Sequence, residues 1–150
     1  MADASQTLRN VRIIHFAFLA MPAVLFFAIS TIQIDSKPEI TFLPTVLAVL
    51  AMSEVGIATA FRGKLIRPAV ERLQRLPQAS AALEQWRRGN ILSFVFAMTV
   101  VLYGVVIRVM GFSWNIAAWF FVAGFSLLLW WTPRLKLAAS TNAAAPPPMG

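Results

Sequence analysis

The chain reads as an all-α integral membrane protein: four transmembrane helices form two consecutive hairpins, with an amphipathic cytoplasmic helix between the second and third spans. Three observations predict this. Of 150 residues, 59% are hydrophobic and only 13% charged, against about 25% charged in soluble domains. Long apolar runs recur along the chain, most of them near the 20 residues that cross a hydrocarbon core of about 30 Å at 1.5 Å per residue. The basic residues that give a net charge of +7 gather at the ends of those runs.

The polar start, residues 1–12, precedes a first span over about 13–34, too long for a signal-peptide core. Pro22 sits in its middle, removes one backbone donor and frees the Phe18 carbonyl, so a kink is expected there. Asp35-Ser36-Lys37-Pro38-Glu39 has turn chemistry and leads into a second span over about 41–61, with Pro44 tolerated in its first turn. From Leu65 to Leu76 the apolar residues Leu65, Ile66, Ala69, Val70, Leu73 and Leu76 recur at helical spacing opposite Arg67, Glu71, Arg72 and Arg75. This predicts an interfacial amphipathic helix over about 65–76, lying flat at the cytoplasmic face. Pro77 ends it, and 79–88 leads into a third span over about 90–110. Gly111-Phe112-Ser113 is a tight turn before a fourth span, about 114–131, bracketed by Trp114, Trp130 and Trp131, whose indoles favour headgroup depth. Residues 13–137 thus form one membrane domain, and 138–150, with Pro146-Pro147-Pro148, is a low-complexity tail expected to be disordered.

Charge sets the orientation. Arg9, Arg12, Arg62, Lys64, Arg67, Arg72, Arg75, Arg87, Arg88, Arg134 and Lys136, 11 of the 13 basic residues, fall on one side. Only Lys37 and Arg108 fall on the other. The richer side belongs in the cytoplasm, which places both termini there in a multi-pass cell-membrane protein. The same flanking pattern argues against nucleic acid as a partner, because no basic face stands apart from the apolar runs.

The hairpins carry a faint repeat: Phe16-Ala17-Phe18 is echoed by Phe94-Val95-Phe96, and Arg62-Gly63-Lys64-Leu65 by Arg134-Leu135-Lys136-Leu137. Two hairpins with an acid in the second helix resemble, in plan, the double-hairpin proteolipids of rotary ATPases. The residues depart from that family, since the chain has 7 glycines and none in its first span. Four helices with a membrane glutamate resemble small multidrug transporters, whose acid lies in the first helix, where this chain has none.

Few residues carry chemistry. With no cysteine there are no disulfides, thiolate metal sites or iron–sulfur clusters. One histidine, His15, cannot supply a bis-imidazole haem from a single chain. Neither phosphate loop, dinucleotide fingerprint, hydrolase elbow nor H-E-x-x-H is present. No cofactor and no enzymatic activity are expected.

Glu54 is the one acid inside a span, about 12 Å from Arg62, where an unpartnered carboxylate costs at least about 2.5–3.5 kcal/mol. It is either a proton or cation site or a structural glutamate that fixes helix register. His15 is either an interfacial ring reaching the headgroups or a relay to Glu54. Arg108 either snorkels outward or points into the bundle, and Arg67, Arg72 and Arg75 are placed for lipid contact. Tyr103, Thr99, Ser53 and Ser93 are available for hydrogen bonds between helices. The function expected is that of an accessory or scaffold subunit, with membrane lipid and either further copies of itself or a larger membrane complex as partners. The alternative is a proton- or cation-coupled transporter or channel with Glu54 as its titrating site.

Overall fold

The computed structural model describes residues 4–31, 40–76 and 79–133, with side chains from Gln6 onward. Four helices account for nearly all of this: α1 (Ala4–Ser30), α2 (Leu43–Arg75), α3 (Ser80–Val109) and α4 (Trp114–Trp130). The first three are long and apolar enough to cross a membrane. α4 is apolar but has 17 residues, about 25 Å of helix. The expected linker at 35–39, the break at Pro77 and the tail 138–150 lie outside the described residues.

α3 is the hub. It packs against α1, α2 and α4, whereas α1 and α2 share at most marginal contact. Half of its apolar window is buried, compared with 17% for α1 and 11% for α2. The hairpin arrangement therefore holds for α3–α4 only: the first two helices are consecutive in sequence but lie against α3. Their packing does not echo that of α3 and α4, as a repeated hairpin requires.

Small residues on α3 and α4 make the closest approach. A Cβ added at Gly104 would lie 2.9 Å from the Ala117 carbonyl oxygen, and one at Gly124 would collide with Val101 Cγ2 and lie 2.9 Å from the Ala97 carbonyl. Such gaps let backbones meet without intervening side chains. The turn between the helices is a Schellman motif. Gly111 takes φ 82°, Phe112 N–H donates to Ile107 O at 3.2 Å, and Gly111 N–H donates to Arg108 O at 3.1 Å. The Phe112 and Ile107 side chains are both buried in one cluster, the apolar contact that accompanies this motif.

α2 differs from expectation in a way that matters. The separate helix predicted over 65–76 does not exist, because the second span and the amphipathic segment form one helix of 33 residues. Its buried residues Leu47, Ala51, Ala58, Ala69 and Leu73 keep one helical phase throughout, so the apolar stripe that was expected to rest on lipid continues the stripe that meets α3. Ala69 and Leu73 are fully buried in a cluster with Val11, Leu83 and Trp86, from the beginnings of α1 and α3. Pro68 lies inside the helix, beyond the apolar run, where water can reach the Lys64 carbonyl it frees. Arg72 and Arg75 occupy the last turn, where cations favour the helix dipole. Likewise α1 begins at Ala4 and runs on through Pro22, and α3 begins ten residues before the expected span.

α3 runs antiparallel to α2 and α4 and parallel to α1, as the contacts Glu54–Tyr103 with Ile66–Gly89, Gly124–Ala97 with Ala117–Gly104, and His15–Phe94 with Ile29–Val101 fix. One end of the molecule thus collects Arg9, Arg12, Arg62, Lys64, Arg67, Arg72, Arg75, Arg87 and Arg88, while Arg108 lies at the other. The flanks are apolar: Phe16, Phe27, Met52, Trp119 and Trp130 are among the exposed large side chains, while His15, Asn90 and Ser93 are buried. Of the bracketing indoles, Trp130 is exposed, Trp131 is buried and Trp114 packs on Phe26 and Phe121.

Gly124→Leu is expected to lower stability by about 1–3 kcal/mol through overpacking. Gly56→Ala, where an added Cβ meets nothing within 4 Å, should change it by less than about 0.5 kcal/mol. Unfolding of the purified protein by titrated denaturing detergent measures both.

Candidate functional site

Glu54 lies on the α2 stripe between Ala51 and Ala58 and so faces α3. There the Tyr103 hydroxyl donates to Glu54 Oε1 at 2.5 Å. The other carboxylate oxygen is buried with no hydrogen-bond partner. Tyr103 stands edge-on to Phe120 of α4, ring centroids 6.5 Å apart, which fixes the phenol from the far side. The pair is flanked by Leu47, Ala51, Val55, Val100 and Phe120, an apolar surround in which a hydrogen bond is worth more than in water. Ser53 and Thr99 instead donate to carbonyls of their own helices, Val49 O at 2.9 Å and Val95 O at 3.1 Å. They add nothing to the acid's environment.

His15 is buried between helices. Only 4% of its surface is exposed, and its ring packs on Phe94 with centroids 4.8 Å apart. The reason is its position on the α1 stripe Thr7, Val11, His15, Pro22 and Ile29, all buried. Nor is it brought to Glu54. Its contact on α3, Phe94, precedes Tyr103 by nine positions, which is about 13 Å along the axis and about half a turn around it. His15 and Glu54 thus touch opposite sides of α3, and the helix body lies between them. A one-water relay does not fit this geometry.

Arg108 is half-buried and folds back over the α3–α4 turn. It donates to the Phe112 carbonyl at 3.3 Å, and its guanidinium carbon lies 5.9 Å from the centre of the Trp114 ring. Arg67, Arg72 and Arg75 are exposed at the basic end. Glu84, at the beginning of α3, pairs with Arg88 at 3.0 Å and Arg87 at 3.6 Å, a surface arrangement worth little to stability.

A second polar feature was not foreseen from the sequence. Thr59, Arg62, Gly63, Ile66 and Arg67 of α2 and Trp130 and Trp131 at the end of α4 line a cleft of about 260 Å³. The Arg62 guanidinium carbon lies 5.4 Å from the centre of the Trp131 ring. Both residues had been noted in the sequence, but as orientation signals on separate spans. Their meeting depends on α2 and α4 flanking the same side of α3. An apolar groove of about 220 Å³ lies between α1 and α4, lined by Pro22, Ala23, Phe26, Phe121, Val122, Phe125 and Ser126. Among the described residues no cluster of three His, Cys, Asp or Glu is placed to hold a metal ion.

Fold and site together are consistent with a helical membrane protein that has a single interhelical carboxylate–phenol pair. The chain matches no protein-family model, no curated protein and no solved structure.

Tyr103→Phe is expected to destabilise the wild type but to have almost no further effect in a Glu54→Leu background. The coupling energy should be roughly 0.6–1.7 kcal/mol, the range of interhelical hydrogen bonds in membranes. A double-mutant cycle on unfolding free energies checks it.

Proposed function

We propose that this is a multi-pass membrane protein, with both termini cytoplasmic, that serves as an accessory or scaffold subunit and associates through the open face of α2. The observation that carries the reading is the contrast among its glycines. Gly89, Gly104 and Gly124 each let another helix approach, since a Cβ at any of them would meet a neighbouring helix within 3 Å. Gly56 meets nothing within 4 Å, yet it sits mid-helix, where glycine costs about 0.5–1 kcal/mol relative to alanine. With exposed Val49, Ser53 and Ala60 it forms a small-residue stripe on the side of α2 turned away from α3. Stripes of this kind serve close helix–helix contact in lipid. The collection of basic residues at one end supports the orientation, since such clusters stay on the cytoplasmic side. On this reading the basic end of α2 and the beginnings of α1 and α3 rise together out of the bilayer, and Arg67, Arg72 and Arg75 face headgroups or a partner.

Because the chain has no cysteine, single replacements report contacts cleanly. Gly56→Cys in native membranes should form a disulfide-linked dimer or capture another membrane protein with a short thiol crosslinker, whereas Trp119→Cys, on exposed α4, should not. Equal capture from both positions, or none from position 56, removes the basis of the subunit reading.

A second reading, proton- or cation-coupled transport, is favoured by one observation: the unpartnered Glu54 Oε2, the position a proton or small cation would occupy. Intramembrane acids mark ion and proton pathways as a class. Glu54→Gln keeps the phenol hydrogen bond and removes the charge, so on this reading it abolishes pH-gradient-driven flux in reconstituted vesicles while assembly stays intact. Unchanged flux in that variant would leave Glu54 as a register-fixing residue.

A further inference from the structure

We infer that the cleft between α2 and the end of α4 is a binding site for a phosphate oxyanion, held by the Arg62 guanidinium with Arg67 at its rim. Arg62 is positioned but unsatisfied. Its guanidinium carbon lies over the Trp131 ring, 5.4 Å from the centroid, a cation–π contact that holds the group at the cleft. Its Nη1 is buried with no hydrogen-bond partner. Leaving a charged donor without an acceptor away from water is costly, and the group that best matches a planar guanidinium fork is a carboxylate or phosphate. Among the described residues no carboxylate lines the cleft, and Glu84, an acid near this end, is taken by Arg87 and Arg88.

The rest of the lining fits a small anion with an apolar attachment. Gly63 leaves its side of the cleft open, since an added Cβ meets nothing within 4 Å. The Thr59 hydroxyl is committed as donor to the Val55 carbonyl at 2.7 Å, so among the described residues the charged donors lining the cavity are Arg62 and Arg67. At about 260 Å³ the cavity falls short of the roughly 300–1,000 Å³ of pockets for drug-sized ligands, a headgroup's scale rather than a whole amphiphile's. It opens where the apolar part of α2 gives way to charge, beside exposed Trp130, the depth at which phospholipid phosphates meet a spanning helix. Two sources share this chemistry: the phosphodiester of an anionic phospholipid and free phosphate. Gly63 and Arg67 continue the face of α2 that carries Gly56, seven and eleven residues nearer the charged end, while Arg62 and Ile66 turn from that face toward α4.

The test uses the full-length protein in neutral detergent, titrated separately with phosphatidylglycerol and inorganic phosphate, with native mass spectrometry and phosphorus NMR line widths as readouts. One phosphatidylglycerol per chain is expected to bind. Arg62→Gln should weaken it about tenfold to a hundredfold, the scale of a lost charged hydrogen bond. Gly63→Leu, which fills the cleft but keeps both arginines, should weaken it comparably. Arg72→Gln, an exposed arginine outside the cleft, should change it by less than about twofold. Binding of phosphatidylglycerol without inorganic phosphate supports a lipid headgroup site, and binding of both with the same dependence on Arg62 supports a site for phosphate itself. No binding of either, retention in both Arg62→Gln and Gly63→Leu, or an equal loss in Arg72→Gln overturns the assignment.

Discussion

Everything in this molecule is arranged around the burial of α3, and that burial depends on how closely α4 can approach it. Gly104 and Gly124 face carbonyls of the opposite helix, so the α3–α4 pair is held by backbone-to-backbone proximity rather than by interlocked large side chains. Dispersion falls steeply with separation, and a single methyl at either glycine would force the helices apart. α1 then lies across the pair: Phe26 meets Trp114 and Phe121 on α4, and His15 and Phe18 meet Phe94 on α3. α2 has less to hold it. Its contact is one stripe on α3, with the Glu54–Tyr103 hydrogen bond in the apolar half and Ala69 and Leu73 in the charged half.

Much of the helix content was legible because apolar runs of this length have few alternatives, and the ends marked by Pro44 and Gly111 lie where their backbone chemistry requires. The error at 65–76 is instructive. Composition changes sharply at Arg62, which suggested a boundary between elements, yet phase does not: Leu47, Ala51, Glu54, Ala58, Leu65, Ala69 and Leu73 stay on one face throughout. Continuous phase marks a continuous helix, while a shift from apolar to amphipathic marks only where one helix leaves one solvent for another. The pairing of helices could not be read in this way. Adjacent spans joined by short connections suggest hairpins, and α1 with α2 departs from that rule because α3 offers each a better surface than they offer one another.

For the site, sequence reasoning located the costly residues but not their company. Glu54 was evident from its depth, and its turn toward the bundle followed from its neighbours on the stripe. Tyr103 as its donor is a contact across 49 positions, set by the register of α2 on α3, and nothing local encodes it. The burial of His15 is a related case: proximity to Arg12 draws attention to the helix end, whereas the stripe from Thr7 to Ile29 turns the ring against α3. The Arg62–Trp131 contact needs two helices that scarcely touch each other to be aligned by a third.

That last point bears on the order in which the protein can be made. During synthesis α1 and α2 emerge first, and neither provides the other with a packing surface. They must wait side by side, with Glu54 lacking its phenol and the α1 stripe still uncovered, until α3 is delivered between them. α4 follows α3 across the Gly111 turn and closes against it. The first half of the chain is thus a pair of unpaired segments, and the second half is the template that gathers them.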